Sequence, residues 1–155
     1  MATEFTIGIE EEFQIVDPAT NQLKSHVSEM VQEGEGVLGD QIKPEFLQSV
    51  VEIGTKICAD VKEAREELIR LRRGLAALGA PAGLTVAGSG THPVSDWRDQ
   101  QVTEKERYQT LLNDMGDIAR GLTIFGLHVH VHVGDRDLAI DVFNEARYFL
   151  PHLLA

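Results

Sequence analysis

The chain has 155 residues, of which 43% are hydrophobic and 25% are charged, a balance that suits one soluble domain with a hydrophobic core. Its 25 acidic and 14 basic residues give a net charge of −11. This excess argues against a nucleic-acid or anionic-membrane partner, because both reward clustered Lys and Arg. A single cysteine, Cys58, allows no intramolecular disulfide, so we expect a reducing, cytoplasmic setting. We expect neither a signal peptide nor a membrane span.

The first predicted element is a strand over residues 5–15, where apolar and polar residues alternate. Its apolar face carries Phe5, Ile7, Ile9, Phe13 and Ile15, and its polar face carries Gly8, Glu10, Glu12 and Gln14. Turn residues at 17–21 then predict a hairpin into a second strand near 22–27. The acidic, glycine-rich segment 33–40 predicts a loop.

Residues 42–57 are ambiguous between strand and helix, and their β-branched content favours a strand, regular or bulged, with Gly54 near its end. A helix follows with more certain signals. Asp60 and Glu63 resemble a capping box, and apolar residues then recur at helical spacing until Gly79.

Four further elements are predicted in the remaining chain. They are a buried strand at 84–88, a helix that opens at the capping-box pair Thr103 and Glu106 and reaches Leu122, a strand at 123–133, and a helix at 137–150 that ends before Pro151. The elements together predict one α+β domain over 1–155, with a largely antiparallel sheet and helices packed on one face. The apolar residues at 151–155 predict self-association or packing through that edge.

Three consecutive acids, Glu10, Glu11 and Glu12, occupy the first predicted strand. Side chains two apart on a strand share a face, with Cα atoms about 6.6 Å apart, so Glu10 and Glu12 point together. Two neighbouring carboxylates repel each other, and a divalent cation relieves that repulsion. The alternative is an ordinary solvated strand face. Glu11 falls on the core-facing side, where it needs a sheet-edge position or a basic partner.

Three imidazoles, His128, His130 and His132, alternate with apolar residues on a later strand. Folding alone gives no reason for this pattern, so we expect at least one of them to contact a metal or a charged substrate. Carboxylates with few nitrogen ligands suit Mg²⁺ or Mn²⁺, and Mg²⁺ usually works with nucleotide phosphates. The alternative is a zinc- or iron-dependent hydrolase or oxygenase that uses the imidazoles, which explains the triple glutamate poorly.

Two further acids interrupt the apolar run within 42–57. Glu52 is flanked by Val and Ile residues, so a functional role is as good an explanation as a structural one, whereas a surface position accounts well for Glu45. The loop at 89–93 and Arg107 are candidates for substrate contact, although turn and surface roles explain them equally well.

Six segments occur together in a characteristic order. They are GIEEEF (8–13), PEFLQSVVEIGT (44–55), LRRGL (71–75), GSGTHP (88–93), ERY (106–108) and FGLHVHV (125–131). In this combination the chain resembles the bacterial family of glutamate–cysteine ligases and related carboxylate–amine ligases. The resemblance implies a glutamine synthetase-like fold, in which an antiparallel sheet forms a funnel lined with metal-binding acids. It also implies ATP-dependent amide formation, with glutamate's γ-carboxylate activated as an acyl phosphate and attacked by an amine such as cysteine's.

The resemblance also implies roles for individual residues. Glu10, Glu12 and His128 correspond to metal-binding residues, with His128 also near the nucleotide, and Glu52 and, more weakly, Glu45 lie near the amino-acid substrate. We add His130 and Arg107 as residues that contact the cofactor. The expected cofactor is Mg²⁺ or Mn²⁺ with ATP as co-substrate, and the expected partners are small-molecule amino acid and amine substrates.

Two features depart from the family pattern. His132 stands where many relatives have a glycine, which leaves the identity of the substrate open. Family members are also longer, and their later half supplies further metal-binding acids and phosphate-binding arginines. The chain therefore corresponds to the N-terminal part of a longer catalytic domain. A non-catalytic module that binds metal or a partner is the third reading.

Overall fold

The computed structural model describes residues 5–155 and confirms an α+β fold with an antiparallel sheet. Its strands are β1 (Phe5–Asp17), β2 (Gln22–Leu23), β3 (Ile42–Pro44), β4 (Val50–Gly54), β5 (Thr85–Ala87) and β6 (Leu127–Val133). Its helices are α1 (Val27–Leu38), α2 (Val61–Gly79), α3 (Glu106–Met115), α4 (Asp117–Arg120), α5 (Arg136–Ala146) and α6 (Leu150–Leu154). The expectation that the chain starts without a signal peptide rests partly on residues 1–4, which lie outside the described residues.

Strand β1 is the centre of the sheet. On one edge it pairs with β4 through residues 10–14, and on the other edge with β6 through 5–11 and with β5 through 14–16. Strand β2 pairs with residues 16–17 of β1, on the same edge of β1 as β4. Strand β3 pairs with the edge of β4 that faces away from β1. All of these pairings are antiparallel, so residues directly opposite one another present their side chains on the same face.

Helices α1 and α2 pack against each other and cover one face of the sheet. The sequence predicts helices on one face and predicts α2, but it does not predict α1. The core between them includes Ile15, Val27, Met30, Leu38, Ile42, Val51, Ile53, Leu71 and Leu75. Burying a side chain of this size contributes about 1.5–3 kcal/mol relative to exposure. The helices thus hold one face of β1 and β4, and the opposite face of these strands carries the acids.

Helix α2 forms where the capping signal predicts it. The Asp60 carboxylate accepts hydrogen bonds from the backbone N–H groups of Lys62 (2.9 Å) and Glu63 (2.8 Å), which leaves fewer unpaired donors in the first turn. The Glu63 side chain bonds back to the N–H of Ala59 at 2.8 Å, one residue earlier than in the standard capping box. The helix ends at Gly79, as predicted.

The prediction of a loop at 33–40 is wrong, because most of this segment belongs to α1, and the strand predicted at 22–27 ends at Leu23. The buried positions of α1 are Val27, Met30, Gly34 and Leu38, which lie at helical spacing. Gly34 serves close packing, since a Cβ there would lie 2.9 Å from Cδ1 of Ile42. The glycine therefore marks contact between elements, whereas the sequence interpretation took it as a sign of a loop.

Residues 42–57 are extended, as favoured, but form two strands where one was predicted. Strand β3 turns at residues 45–49 and returns as β4, so that Lys43 lies directly opposite Glu52. The Thr103 hydroxyl donates a hydrogen bond of 2.6 Å to the carbonyl of Glu45 and so holds this turn.

The capping box predicted at Thr103 is therefore also wrong. Helix α3 begins at Glu106, and its N-cap residue, Lys105, makes no capping side-chain bond. The helix ends at Met115 because Gly116 adopts a φ of 54°, a left-handed value that favours glycine. The apolar pattern that runs on to Leu122 continues into the short helix α4 and the turn that follows it.

The C-terminal elements are shorter than predicted. The strand predicted at 123–133 begins at Leu127, and the helix predicted at 137–150 divides into α5 and α6. Pro151 lies in the first turn of α6, where the missing N–H of proline has no cost, so it opens a helix instead of ending one. No helix within 5–155 is both long enough and apolar enough to cross a membrane.

Candidate active site

The strand register brings the predicted acids together on the face of the sheet that α1 and α2 leave uncovered. Glu12 on β1 lies directly opposite Glu52 on β4. One step along β1, Glu10 lies directly opposite His128 on β6. One acid, Glu52, and one imidazole, His128, thus join Glu10 and Glu12 from distant segments through backbone pairing alone. The predicted sharing of a face by Glu10 and Glu12 agrees with this register.

The first cluster consists of Glu10, His128 and His130. One ligand atom from each lies within 4.8 Å of the others. The distance from Glu10 Oε2 to Nε2 of His130 is 3.1 Å, and that to Nδ1 of His128 is 3.6 Å. The hydrogen bond with His130 lowers the pKa of the Glu10 carboxyl, which is therefore ionised near neutral pH. Both imidazoles are exposed, so a ligand can reach the cluster.

The second cluster consists of Glu12, Glu45 and Glu52, whose carboxylate oxygens also lie within 4.8 Å of one another. Burial raises the pKa of the Glu52 carboxyl, and the charges of Glu10 and Glu45 raise it further. Lys43 opposes this effect, with its Nζ 3.4 Å from Oε1 of Glu52. Three carboxylates at this separation, with Lys43 and Arg107 beside them, still carry a net negative charge that attracts cations.

Glu12 is oriented by the backbone of the segment that precedes β6. Its Oε2 accepts a hydrogen bond of 2.7 Å from the N–H of Gly126. A Cβ at Gly126 would lie 2.9 Å from Nε2 of His128, so only glycine allows the imidazole this close. Oε2 is therefore engaged by the backbone, whereas no protein donor is found for Oε1 of Glu12 within 5–155.

Glu45 is held by protein donors on both oxygens. Its Oε2 accepts hydrogen bonds from the N–H of Phe46 (2.9 Å) and the hydroxyl of Tyr108 (3.3 Å), and its Oε1 lies 3.4 Å from the guanidinium of Arg107. Arg107 also stacks on the Tyr108 ring at 4.5 Å and donates a hydrogen bond to its hydroxyl. Arg107 thus lies at the second cluster, and its contact with a nucleotide stays a prediction.

Glu11 faces the helices and meets the basic partner that its position required. Arg72 on α2 donates hydrogen bonds from Nε, at 2.8 Å, and from Nη2 to the two carboxylate oxygens. The Glu11 side chain is 7% exposed, so the pair neutralises a buried charge. The hydrogen bond to Glu11 raises the pKa of Arg72. Glu11 therefore belongs to the packing of α2 on the sheet.

Two other candidates lie apart from both clusters. His132 is paired with Thr6, near the start of β1, and contributes to neither group. In the 89–93 loop, the hydroxyls of Ser89 and Thr91 bond to backbone carbonyls, a structural use that the sequence left open. The sequence interpretation missed Lys43, whose role depends on the β3–β4 turn, and gave no role to Tyr108 although its ERY segment was noted.

A cavity of about 340 Å³ adjoins the second cluster. Glu12, Glu45 and His128 form its polar part, and its apolar wall consists of Phe46, Leu47, Val50, Leu111, Leu122, Ile124 and Phe125. The cavity therefore offers a charged end and an apolar end to one ligand.

Comparison with known proteins assigns the chain to a family. The family model for glutamate–cysteine ligase family 2 matches residues 6–155. The chain is 51% identical over 151 residues to the "Putative glutamate–cysteine ligase 2" of Herpetosiphon aurantiacus, covering 97% of this chain and 39% of the relative. It is also 51% identical over 154 residues to the protein of the same name from Sorangium cellulosum, covering 98% of this chain and 41% of the relative.

A solved structure shows the same fold. The glutamate–cysteine ligase of Francisella tularensis, crystallised in complex with AMP, superimposes with a TM-score of 0.62 at 18% identity, covering 92% of this chain and 30% of that chain. The present chain therefore spans about two fifths of the length of these curated relatives. The match of the family model to nearly the whole chain shows that the chain belongs to glutamate–cysteine ligase family 2.

Proposed function

We propose that this chain forms part of the active site of an ATP-dependent carboxylate–amine ligase that joins glutamate to cysteine. The observation that carries the proposal is the direct opposition of Glu12 and Glu52 beside the pair of Glu10 and His128. Family membership supports the ligase class. The alternatives of a metal-dependent hydrolase or oxygenase, and of a non-catalytic module, gain no support from the comparisons.

The donor set suits Mg²⁺ or Mn²⁺. Carboxylate oxygens predominate, and hard cations prefer oxygen ligands. Glu10 and His128, from the first cluster, and Glu12, from the second, would hold the metal. When bound, such ions neutralise the γ-phosphate of ATP and orient it for in-line transfer. The F. tularensis ligase is complexed with AMP, and its shared fold supports nucleotide binding here. In this proposal His130 and Arg107 would contact the nucleotide.

The residues of the second cluster would handle the amino-acid substrates. In the proposed reaction the γ-phosphoryl group passes from ATP to the γ-carboxylate of glutamate, which releases ADP. The amine nitrogen then bonds to the carbonyl carbon, phosphate leaves, and the nitrogen loses a proton. Glu52 and Glu45 present carboxylates to a substrate ammonium group. Because burial raises its pKa, Glu52 is the better proton acceptor of the two for the attacking amine.

The cavity beside the second cluster fits the amine substrate. Its acidic end suits an ammonium group, and its apolar wall, with Phe46 and Leu111, suits a small apolar side chain. Cysteine has both features. The charged end fixes orientation and the apolar end supplies the contact area.

A thermal-shift titration with Mg²⁺, Mn²⁺ and Zn²⁺, each with and without ATP, tests the proposal. We expect stabilisation by Mg²⁺ or Mn²⁺ that the nucleotide increases. Glu10→Gln should abolish it, while Glu33→Gln, on the exposed face of α1, should leave it unchanged. Stabilisation by Zn²⁺ alone would favour the hydrolase or oxygenase class. Full Mg·ATP stabilisation in Glu10→Gln would refute the metal assignment.

We also propose that the C-terminal helices pack against another protein surface. Phe143, Tyr148, Phe149, Leu153 and Leu154 each expose at least 64% of their surface, which is costly in water for a cluster of large apolar side chains. Sedimentation velocity should show self-association of the chain, and Leu153→Asp with Leu154→Asp should weaken it. A strictly monomeric chain at high concentration would contradict this.

A further inference from the structure

A second cavity, of about 470 Å³, lies beside the first cluster. We call it the glycine-floored cavity, after Gly8 on β1 and Gly54 at the end of β4. Lys43, Lys56, Glu10 and His130 also line it. The cavity is thus continuous with the proposed metal ligands, and two ammonium groups in its lining accompany the carboxylates of Glu10 and Asp40.

The backbone conformation does not require glycine at either of these two positions. Neither has a positive φ, and a Cβ would approach nothing closer than 3.8 Å at Gly8, from His130 Cβ, and 3.9 Å at Gly54, from Glu10 Cγ. A glycine inside a strand weakens it, because it orders a more flexible backbone and packs no side chain. Such a position is typical of a place where a ligand approaches the backbone closely. Larger side chains here would fill the cavity.

The two lysines are available to a ligand. Lys43 lies 3.4 Å from Glu52, and Lys56 lies 2.8 Å from Glu63. Each side chain is more than half exposed, and an ammonium group has three donors, so one carboxylate partner leaves donors free. Lysine binds oxyanions as a compact point charge. Both residues can therefore turn towards a shared anion over the glycine floor.

We propose that the glycine-floored cavity is a subsite for an oxyanion, bound by Lys43 and Lys56. The anion is a phosphoryl group of the nucleotide or a carboxylate of the amino acid, since both present several acceptor oxygens. This inference deepens the proposed function, because the subsite would place the anion beside Glu10 and His130. The lysines would then reduce the repulsion between the anion and the acids of the same face.

Binding of pyrophosphate and of L-glutamate, measured by isothermal titration calorimetry in EDTA, tests the subsite without any metal. We expect at least one probe to bind, and Lys43→Met and Lys56→Met each to weaken it about tenfold, the loss of one charge-assisted hydrogen bond. Lys62→Met, an exposed lysine on α2, is the matched control and should change the affinity less than twofold. Dependence on the lysines with pyrophosphate identifies a phosphoryl subsite, and with glutamate a carboxylate subsite.

The glycine floor has its own test. Gly8→Val should abolish binding of the same probe by filling the cavity, with the fold checked by circular dichroism. If Gly8→Val misfolds, the lysine variants still decide. Absence of binding for both probes, or binding that the three variants leave unchanged, overturns the proposal.

Mn²⁺ titration of the same proteins separates this inference from the proposed function. Retained Mn²⁺ binding with lysine-independent anion binding rejects the subsite alone. Lysine-dependent anion binding without any Mn²⁺ binding supports the subsite and rejects the proposed metal site.

Discussion

Glu12 and Glu52 are 40 positions apart in the sequence and directly opposite each other in the sheet. Like charges at directly opposed positions destabilise a strand pair. Lys43, opposite Glu52 on the other side, offsets only part of this repulsion. The chain therefore keeps an unfavourable arrangement at the point where the proposed chemistry needs it, which is typical of functional sites.

The cost of ionising Glu52 gives a prediction about pH. Burial raises the pKa of this carboxyl in the folded state above its ordinary value of 4.5, which applies to the unfolded state. At a pH between the unfolded-state and folded-state pKa values, the folded state therefore binds more protons than the unfolded state. The contribution of Glu52 to the free energy of unfolding therefore falls as pH rises through that interval. Without divalent ions, Glu52→Gln should be more stable than the parent at pH 7, and the gain should fade towards pH 4. Urea unfolding at both pH values measures it.

Glu63 is the matched control for the pH prediction, because its pKa is shifted in the opposite direction. Its hydrogen bond with the N–H of Ala59 lowers the pKa of the carboxyl, so its stabilising contribution is present above pH 4.5 and is lost as pH falls. Glu63→Gln should therefore reduce stability at pH 7. Equal effects of the two substitutions would contradict the assigned shifts.

The Glu11–Arg72 pair predicts a large change in stability without a change in metal binding. Arg72→Ala would leave the buried Glu11 carboxylate without its partner, and we expect a loss of about 2–4 kcal/mol in the free energy of unfolding. Arg73→Ala, an exposed neighbour that forms no salt bridge within 5–155, should cost less than about 0.5 kcal/mol. Weaker Mn²⁺ binding by the folded Arg72→Ala variant would contradict the assignment of the Glu11–Arg72 pair to packing alone.

Substitutions at two glycines of α1 should change stability in opposite directions. Gly34→Val should destabilise the fold by about 1–3 kcal/mol, because its side chain would collide with Ile42 and Leu78. Gly36→Ala, where nothing lies within 4 Å of the new Cβ, should stabilise it by roughly 0.5–1 kcal/mol through helix propensity. Thermal unfolding measures both. Stabilisation of the same size in both variants would contradict the packing of α1 on β3.

The sequence was sufficient for the elements whose signals are local. Asp60 and Glu63 mark the start of α2, and the alternation in β1 separates Glu11 from Glu10 and Glu12. It was misleading where a residue serves tertiary contact. Gly34 lies inside a helix, where its lack of a side chain lets Ile42 pack closely. Thr103 bonds to the β3–β4 turn, although a helix cap was predicted there.

The candidate site was predictable in composition but not in geometry. Periodicity indicates that Glu10 and Glu12 share a face, yet nothing in the sequence fixes the register that sets Glu52 opposite Glu12. Lys43 was overlooked for the same reason, since its pairing depends on the turn at 45–49. Register arises from the whole sheet, and a shift of one residue would move each side chain to the other face.

Calorimetric titration of Mn²⁺ into the chain and into Glu12→Gln tests the central claim most directly. The glutamine amide oxygen can still accept the hydrogen bond from Gly126, so the variant removes charge while keeping that contact. We predict saturable Mn²⁺ binding that Glu12→Gln weakens at least about tenfold, with Glu33→Gln unchanged. Equal Mn²⁺ affinity in the parent chain and Glu12→Gln would contradict the assignment of Glu12 to the metal site.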